Sequence, residues 1–193
     1  MSVILTLNAG SSSVKFAVFQ AEEEIFGGQV ERLGPDAVLH MDGSDEKFLG
    51  MTDHARAVSE ILEAIEEANP ALVIDGVGHR IAHGGVDFEG PAVLTSKVIE
   101  KLELLTPFAP LHQPHNLSCV TKAQTAFPDA LHVGSFDTAF HRSHPWVNDT
   151  FALPRRFYAE GVRRFGFHGL SYDYITSVLK AEHAELYAGN VAI

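Results

Sequence analysis

Two kinds of residue in this sequence could handle a phosphoryl or carboxylate group. The first is a run of small polar residues, Asn8-Ala9-Gly10-Ser11-Ser12-Ser13, set between the branched apolar stretch Val3 to Leu7 and a second apolar stretch that starts at Val14. Backbone N–H groups and hydroxyls crowded in this way can close around an anion, and Lys15 adds a mobile positive charge. If residues 13–20 form a strand, alternation puts Ser13, Lys15 and Ala17 on one side and Val14, Phe16 and Val18 on the other, so the polar set can face a ligand while the apolar set faces a core. The second kind is a pair of ionic side chains placed just past apolar strands. Arg80 stands in Gly78-His79-Arg80-Ile81-Ala82-His83-Gly84-Gly85, and Asp137 in Val133-Gly134-Ser135-Phe136-Asp137-Thr138-Ala139-Phe140-His141. A guanidinium at a strand end can hold a carboxylate or phosphoryl group in a bidentate fork, which a lysine cannot reproduce. A carboxylate in the same position can hold a Mg²⁺-bound water or orient a substrate. Each has an ordinary alternative: a serine-rich turn, a structural ion pair, a capping aspartate.

The chain can position such groups. Its 193 residues, 46% apolar and 20% charged, are enough to bury a full core as one globular unit. A net charge of −11 argues against nucleic-acid or anionic-membrane partners, which select basic surfaces; an anionic substrate would need a local cluster of cations, for which Arg80, Arg155, Arg156, Arg163 and Arg164 are candidates. No apolar run approaches membrane-spanning length, and no basic segment precedes the first one, so the expected location is cytoplasmic. The single cysteine, Cys119, excludes an internal disulfide and agrees with that expectation. The spacings His79-x₃-His83, His112-x₂-His115 and His141-x₂-His144 do not read as zinc sites, because no adjacent glutamate or cysteine cluster completes them.

In chain order, strands are expected over Val3 to Leu7, residues 13–20 and Ile25 to Val30, then a loop or irregular hairpin over residues 34–50. Ala57, Val58, Ile61, Leu62, Ile65 and Ala68 recur at helical spacing behind Thr52 or Asp53, with Asn69-Pro70 as the stop. A strand over Leu72 to Ile74 with Val77 leads to Arg80. Helices follow at about residues 97–105 and 116–126, separated by the proline-bounded loop Pro107 to Pro114, and Leu131 to Phe136 is a buried strand. Residues 141–166 read as loop with short strands, residues 171–188 as one helix, and Asn190 to Ile193 as the start of a strand. Strands first, then strand and helix alternating, is an α/β pattern with a mixed sheet and flanking helices.

Four stretches, in order, resemble the acetate kinases: Leu7 to Phe16, Gly78 to Gly85, Phe136 to His141, and Arg163-Arg164-Phe165-Gly166-Phe167-His168-Gly169. The resemblance covers essentially the whole chain. It implies an actin-like, sugar-kinase-like (ribonuclease H-like) fold and the reaction of acetate with ATP to give acetyl phosphate and ADP. It further implies that Asn8, Ser11, Ser13 and Lys15 line the phosphate end, and that Arg80 contacts the carboxylate and the transferring phosphoryl group. By the same resemblance Asp137, with Asn8, supports Mg²⁺, His168 donates a hydrogen bond to the phosphoryl in flight, and Leu111, His112, Phe167 and Ala82 wall the acyl pocket.

Three departures stand out. Gln113 follows His112 where the family commonly has asparagine, Leu170-Ser171-Tyr172 replaces Thr-Ser-His, and Ala82 stands where valine is common. The last points to a roomier pocket and to propionate as an alternative substrate. The resemblance also implies that residues 1–189 form an N-terminal lobe carrying the phosphate hairpin and acyl site. Residues 190–193 would then begin a C-terminal nucleotide-binding lobe, without which the chain would be an inactive fragment, and the full-length enzyme would be a homodimer. The competing reading is a non-catalytic actin-like ATP-binding switch or filament module, for which an acyl-carboxylate pocket would have no use.

Overall fold

A computed structural model of the chain describes residues 1–191. Its centre is an eight-stranded mixed sheet. In chain order the strands are β1 (Val3–Ala9), β2 (Val14–Gln20), β3 (Glu23–Glu31), β4 (Gly34–Met41), β5 (Lys47–Thr52), β6 (Gly76–Ile81), β7 (Ala92–Val93) and β8 (Leu131–Phe136). Across the sheet they run β5-β4-β3-β2-β1-β6-β8-β7, with β1, β6 and β8 parallel and the remaining pairings antiparallel. The parallel register sets Leu7 beside His79 and Arg80 beside Ser135. The carboxyl ends of three adjacent strands therefore meet at one edge, where open α/β sheets bind their ligands.

Alternation decides which face is covered. Val3, Leu5, Leu7 and Ala9 of β1 and Val14, Phe16 and Val18 of β2 are buried, whereas Ile4, Thr6, Ala17 and Phe19 are half-buried. The buried face packs on α1 (His54–Ala68) and α3 (Gln113–Ala126). Val58, Ile61 and Ile65 of α1 and Cys119 and Ala123 of α3 join the β1–β2 side chains in one core cluster. α1 starts where its sequence directs: the Asp53 carboxylate accepts the Arg56 N–H at 2.8 Å, and the apolar residues that follow recur on one side. A second cluster joins Ile81 and Phe136 at the strand ends to Leu94, to Leu102 of α2 (Ser96–Glu103), and to Leu117 and Val120 of α3. Burial pushes the Cys119 thiol up to about 12, so it acts as a packing residue.

Several expectations are corrected. Of the two readings of residues 34–50, the irregular hairpin is the one observed: β4 and β5 pair with register shifts on either side of Ala37. The strand expected at Leu72 to Ile74 starts later, at Gly76, so Arg80 lies within β6 and not after it. Leu72 to Ile74, leaving the turn at Pro70-Ala71, has not yet reached the ladder, and Asp75 meets the start of β1 by accepting the Val3 N–H at 2.7 Å. Residues 141–166 hold no strand; they form a 3-10 turn at Ala139–Ser143 and the short helices α4 (Trp146–Asp149) and α5 (Arg155–Ala159). The expected last helix begins earlier and is broken at His183, giving α6 (Gly169–Glu182) and α7 (Ala184–Tyr187). Asn190 and Val191 are exposed and are not in a strand, and the remainder of the strand expected there lies outside the described residues.

Candidate active site

At the shared edge of β1, β6 and β8 the side chains of Asn8, Arg80 and Asp137 converge. Arg80 Nε lies 3.1 and 3.2 Å from the two Asp137 oxygens, and its Nη2 donates to Asp137 Oδ2 at 2.6 Å. Its Nη1 reaches Asn8 Oδ1 at 3.2 Å and the Ala9 carbonyl at 3.5 Å. Asp137 is buried and Arg80 only partly so, which makes the carboxylate an anchor that fixes the guanidinium plane. These bonds leave an Nη2 hydrogen for an incoming anion.

Beside this pair lies a cavity of about 360 Å³ lined by Arg80, Ala82, Leu111, His112, Asp137, Phe167 and His168, with Phe108, Ala109 and Pro110 completing the wall. Residues far apart in sequence thus meet around one small, mostly apolar hollow with one guanidinium and two imidazoles. Other hollows are as large, including one of about 520 Å³ between α1 and α3 lined by Glu63, Glu66 and Lys122, but none gathers the strand-end groups. Ser11, Ser13 and Lys15 do not line the cavity. They sit on the β1–β2 hairpin beyond Asn8, with Ser11 and Lys15 exposed.

His168 reaches the cavity through an uncommon backbone. Its φ is +58°, the left-handed region, which costs a non-glycine residue about 1–2 kcal/mol. This turn starts α6 and brings the Gly169 N–H to the Asp137 carbonyl at 2.8 Å. A Cβ on Gly169 would sit 2.3 Å from that carbonyl oxygen, so only glycine permits the contact that sets His168 and Phe167 beside Arg80. The Phe167 carbonyl is held in turn by His141 Nε2 at 2.9 Å.

Sequence reasoning missed the residues that support these groups. Asn116 donates to the Ala9 carbonyl at 3.0 Å and accepts the Ala82 N–H at 2.9 Å, so one amide ties the end of β1 to the end of β6. Gln113 is fully buried; its Nε2 donates to the His83 and Leu102 carbonyls and its Oε1 accepts the His83 N–H, which gives it a clamping role without contact to the cavity. His83 accepts the Gly85 N–H at 2.9 Å and packs on Phe165 and Phe167, with burial holding its pKa below the usual histidine value. Asn116 and Gln113 flank the Leu111-His112 loop, and their amides were the one signal available. Elsewhere His79 donates to or accepts from His132 at 3.1 Å, and burial followed by the neighbouring imidazole pushes its pKa down to about 3.

Oxygen donors suit a hard cation such as Mg²⁺, and Asn8 and Asp137 supply them side by side. Both Asp137 oxygens are engaged by Arg80, and among the described residues no group of three His, Cys, Asp or Glu could hold a metal alone. The residues therefore fit an ion carried by polyphosphate oxygens and met through water, and do not form a protein cage.

A profile of the acetokinase family matches residues 3–188. The chain belongs to this family. It is 43% identical to the acetate kinase of Methylocella silvestris, covering 98% of this chain and 52% of that protein, and 40% identical to that of Nitrobacter hamburgensis, covering 100% and 51%. Among solved structures it resembles a propionate kinase from Francisella tularensis (TM-score 0.83, 31% identity, 94% of this chain and 49% of that one). It also resembles the acetate kinase of Porphyromonas gingivalis (TM-score 0.79, 36% identity, 94% and 49%). The mixed sheet described above is thus the part of these kinases that the chain matches, and the chain spans about half the length of the curated relatives. Among the described residues no helix is long and apolar enough to cross a membrane.

Proposed function

We propose that the whole protein is a phosphotransferase with a carboxylate acceptor, moving the γ-phosphoryl group of ATP reversibly onto acetate. The observation that carries this reading is the cavity in which Arg80 and His168 face a small apolar wall of Ala82, Leu111 and Phe167 at the ends of three parallel strands. The acid's methyl group rests on that wall while its carboxylate is drawn to Arg80. One carboxylate oxygen attacks the γ-phosphorus as the bond to the β–γ bridging oxygen breaks, and ADP leaves with that electron pair. No proton moves, so no general base is needed. Arg80, held in plane by Asp137, and His168 donate to the equatorial oxygens, where charge develops. Mg²⁺ on the nucleotide, near Asn8 and Asp137, would supply neutralisation of the polyphosphate charge. Ser11, Ser13 and Lys15 meet the phosphate end from the hairpin.

In this reading residues 1–189 are the lobe that grips acid and phosphate, and the remainder of a longer cytoplasmic protein supplies the adenosine pocket. The exposed aromatic residues of α4 to α7, among them Trp146, Tyr174 and Tyr187, are available to that remainder or to a second copy in a homodimer. Propionate is the second substrate to consider, because the Ala82 side chain lines the cavity where a valine would narrow it. A hydroxamate assay on the full-length protein tests both points. Acetyl phosphate should form from acetate and MgATP. One methylene is worth about 1–3 kcal/mol in such a pocket, so Ala82→Val should lower kcat/KM for propionate roughly tenfold relative to acetate. No acyl phosphate from either acid would refute the function, and an unchanged ratio would refute the role of Ala82.

A further inference from the structure

Three carbonyls of the hairpin between β1 and β2 are engaged by the scaffold and a fourth closes the turn on itself. The Ala9 carbonyl accepts from Asn116 Nδ2 at 3.0 Å, and the Gly10 carbonyl from His54 Nε2 at 2.7 Å. The Ser12 carbonyl accepts from the Leu33 N–H at 3.1 Å and the Ser13 carbonyl from the Gly10 N–H at 2.8 Å. In a trans peptide the C=O of one residue and the N–H of the next point in opposite directions. Fixing the Gly10 carbonyl on His54 therefore turns the Ser11 N–H away from α1, and fixing the Ser12 carbonyl on Leu33 turns the Ser13 N–H away from the β3–β4 turn. Carbonyl oxygens would repel a phosphate; engaging these two behind the turn leaves the Ser11 and Ser13 amides facing the other way.

His54 is the first residue of α1, just after the Asp53 cap, and is buried. Its ring stacks on that of His115 from α3, centroids 4.0 Å apart and planes within 16°. Burial and stacking hold the imidazole in the place from which its Nε2 meets the Gly10 carbonyl. We propose that His54 is a positioning residue for the phosphate hairpin: it holds the Gly10–Ser11 peptide so that the Ser11 amide faces the phosphates of the nucleotide. This rests on the phosphotransferase reading, which makes the hairpin the phosphate end of the site.

The test compares His54→Ala, which removes the donor, with His54→Gln, whose amide can donate to the same carbonyl. In the full-length protein His54→Ala should raise KM for MgATP tenfold or more while KM for acetate changes less than twofold, and His54→Gln should recover most of that loss. Equal changes in both KM values, or a glutamine variant no better than alanine in a protein of normal melting temperature, would overturn the assignment. A second readout does not depend on turnover: the Ser11 amide ¹⁵N–¹H signal followed during titration with pyrophosphate. A saturable shift in the wild type that is lost in His54→Ala and regained in His54→Gln supports the role even if no acyl phosphate is ever formed. Absence of the shift in the wild type, or its persistence in His54→Ala, refutes it.

Discussion

The chain up to Phe136 and the chain after it are built differently. Among the described residues every buried hydrophobic side chain lies at or before Phe136, whereas Trp146, Phe151, Leu153, Tyr174 and Leu186 beyond it are largely exposed. The first region fixes Asn8 and Arg80 by close packing beneath three strand ends, and Asp137 follows directly on the last of these. The second delivers Phe167 and His168 through polar contacts: the Gly169 N–H on the Asp137 carbonyl, His141 on the Phe167 carbonyl, and the buried Asp149 carboxylate. Asp149 is gripped bidentately by Arg142 at 3.0 Å and by His144 at 2.6 Å. Burial alone would raise the Asp149 pKa, but the hydrogen bonds and charges of His144 and Arg142 outweigh it and hold the carboxyl below its usual value. One half of the site is thus rigid by apolar packing and the other is tethered, so substitutions in the two regions should fail in different ways.

The largest effect is expected where the regions meet. Arg80→Lys keeps a charge beside the buried Asp137 but loses the planar fork, and turnover should drop by about 10²–10³ with a nearly normal melting curve. Stability should divide along the same boundary. Ile61→Ala opens a cavity in the fully buried core and should cost about 2–5 kcal/mol by urea denaturation, whereas Phe151→Ala should change the unfolding free energy by less than about 0.5 kcal/mol. Equal losses would mean that the second region is as tightly packed as the first.

Acid should attack the first region through His79. Its folded-state pKa of about 3 is below the ordinary histidine value of 6.5, so below pH 6.5 the unfolded chain binds a proton that the folded one refuses. Stability is then complete above pH 6.5 and falls as pH drops toward 3, by about 3 kcal/mol at pH 4. His79→Gln, which can still donate to His132, should show a shallower decline in the same denaturation series. At His168 stability and turnover should part. His168→Gly relieves the left-handed backbone and should leave stability unchanged or raise it by about 1 kcal/mol, while turnover falls by an order of magnitude or more. A destabilised glycine variant would show that the imidazole holds the second region in place.

Much of the first region is legible in the sequence because its signals are local. β1 to β3, α1 and β8 follow from alternation, spacing and caps. β6 is obscured because its glycines look like a loop, yet a Cβ at Gly76 would come within 3.0 Å of Ile4 on β1, so the residue marks close strand packing. The β4–β5 hairpin is legible only as an alternative to loop, because Gly34-Pro35 and Asp42-Gly43 are turn signals that mask the buried Ala37, Val38, Leu39 and Leu49. Within the site, Arg80 and Asp137 are recognisable from motif context. Their mutual ion pair, the Asn116 bridge and the His54 contact span 57, 107 and 44 positions, and no periodicity reports bonds at that range. The left-handed turn at His168 is equally silent, since only the adjacent Gly169 hints that the backbone must approach something closely.

In the proposed reaction a carboxylate oxygen attacks phosphorus at the Arg80 edge of the sheet. Incubating the full-length protein with MgATP and acetate labelled with ¹⁸O at both oxygens, then reading acetyl phosphate by mass spectrometry, tests it most directly. The account predicts acetyl phosphate retaining both labels, because no C–O bond is cut, with the yield falling by about 10²–10³ in Arg80→Lys. Product that has lost a label, no product in the wild type, or undiminished product in the lysine variant would contradict it.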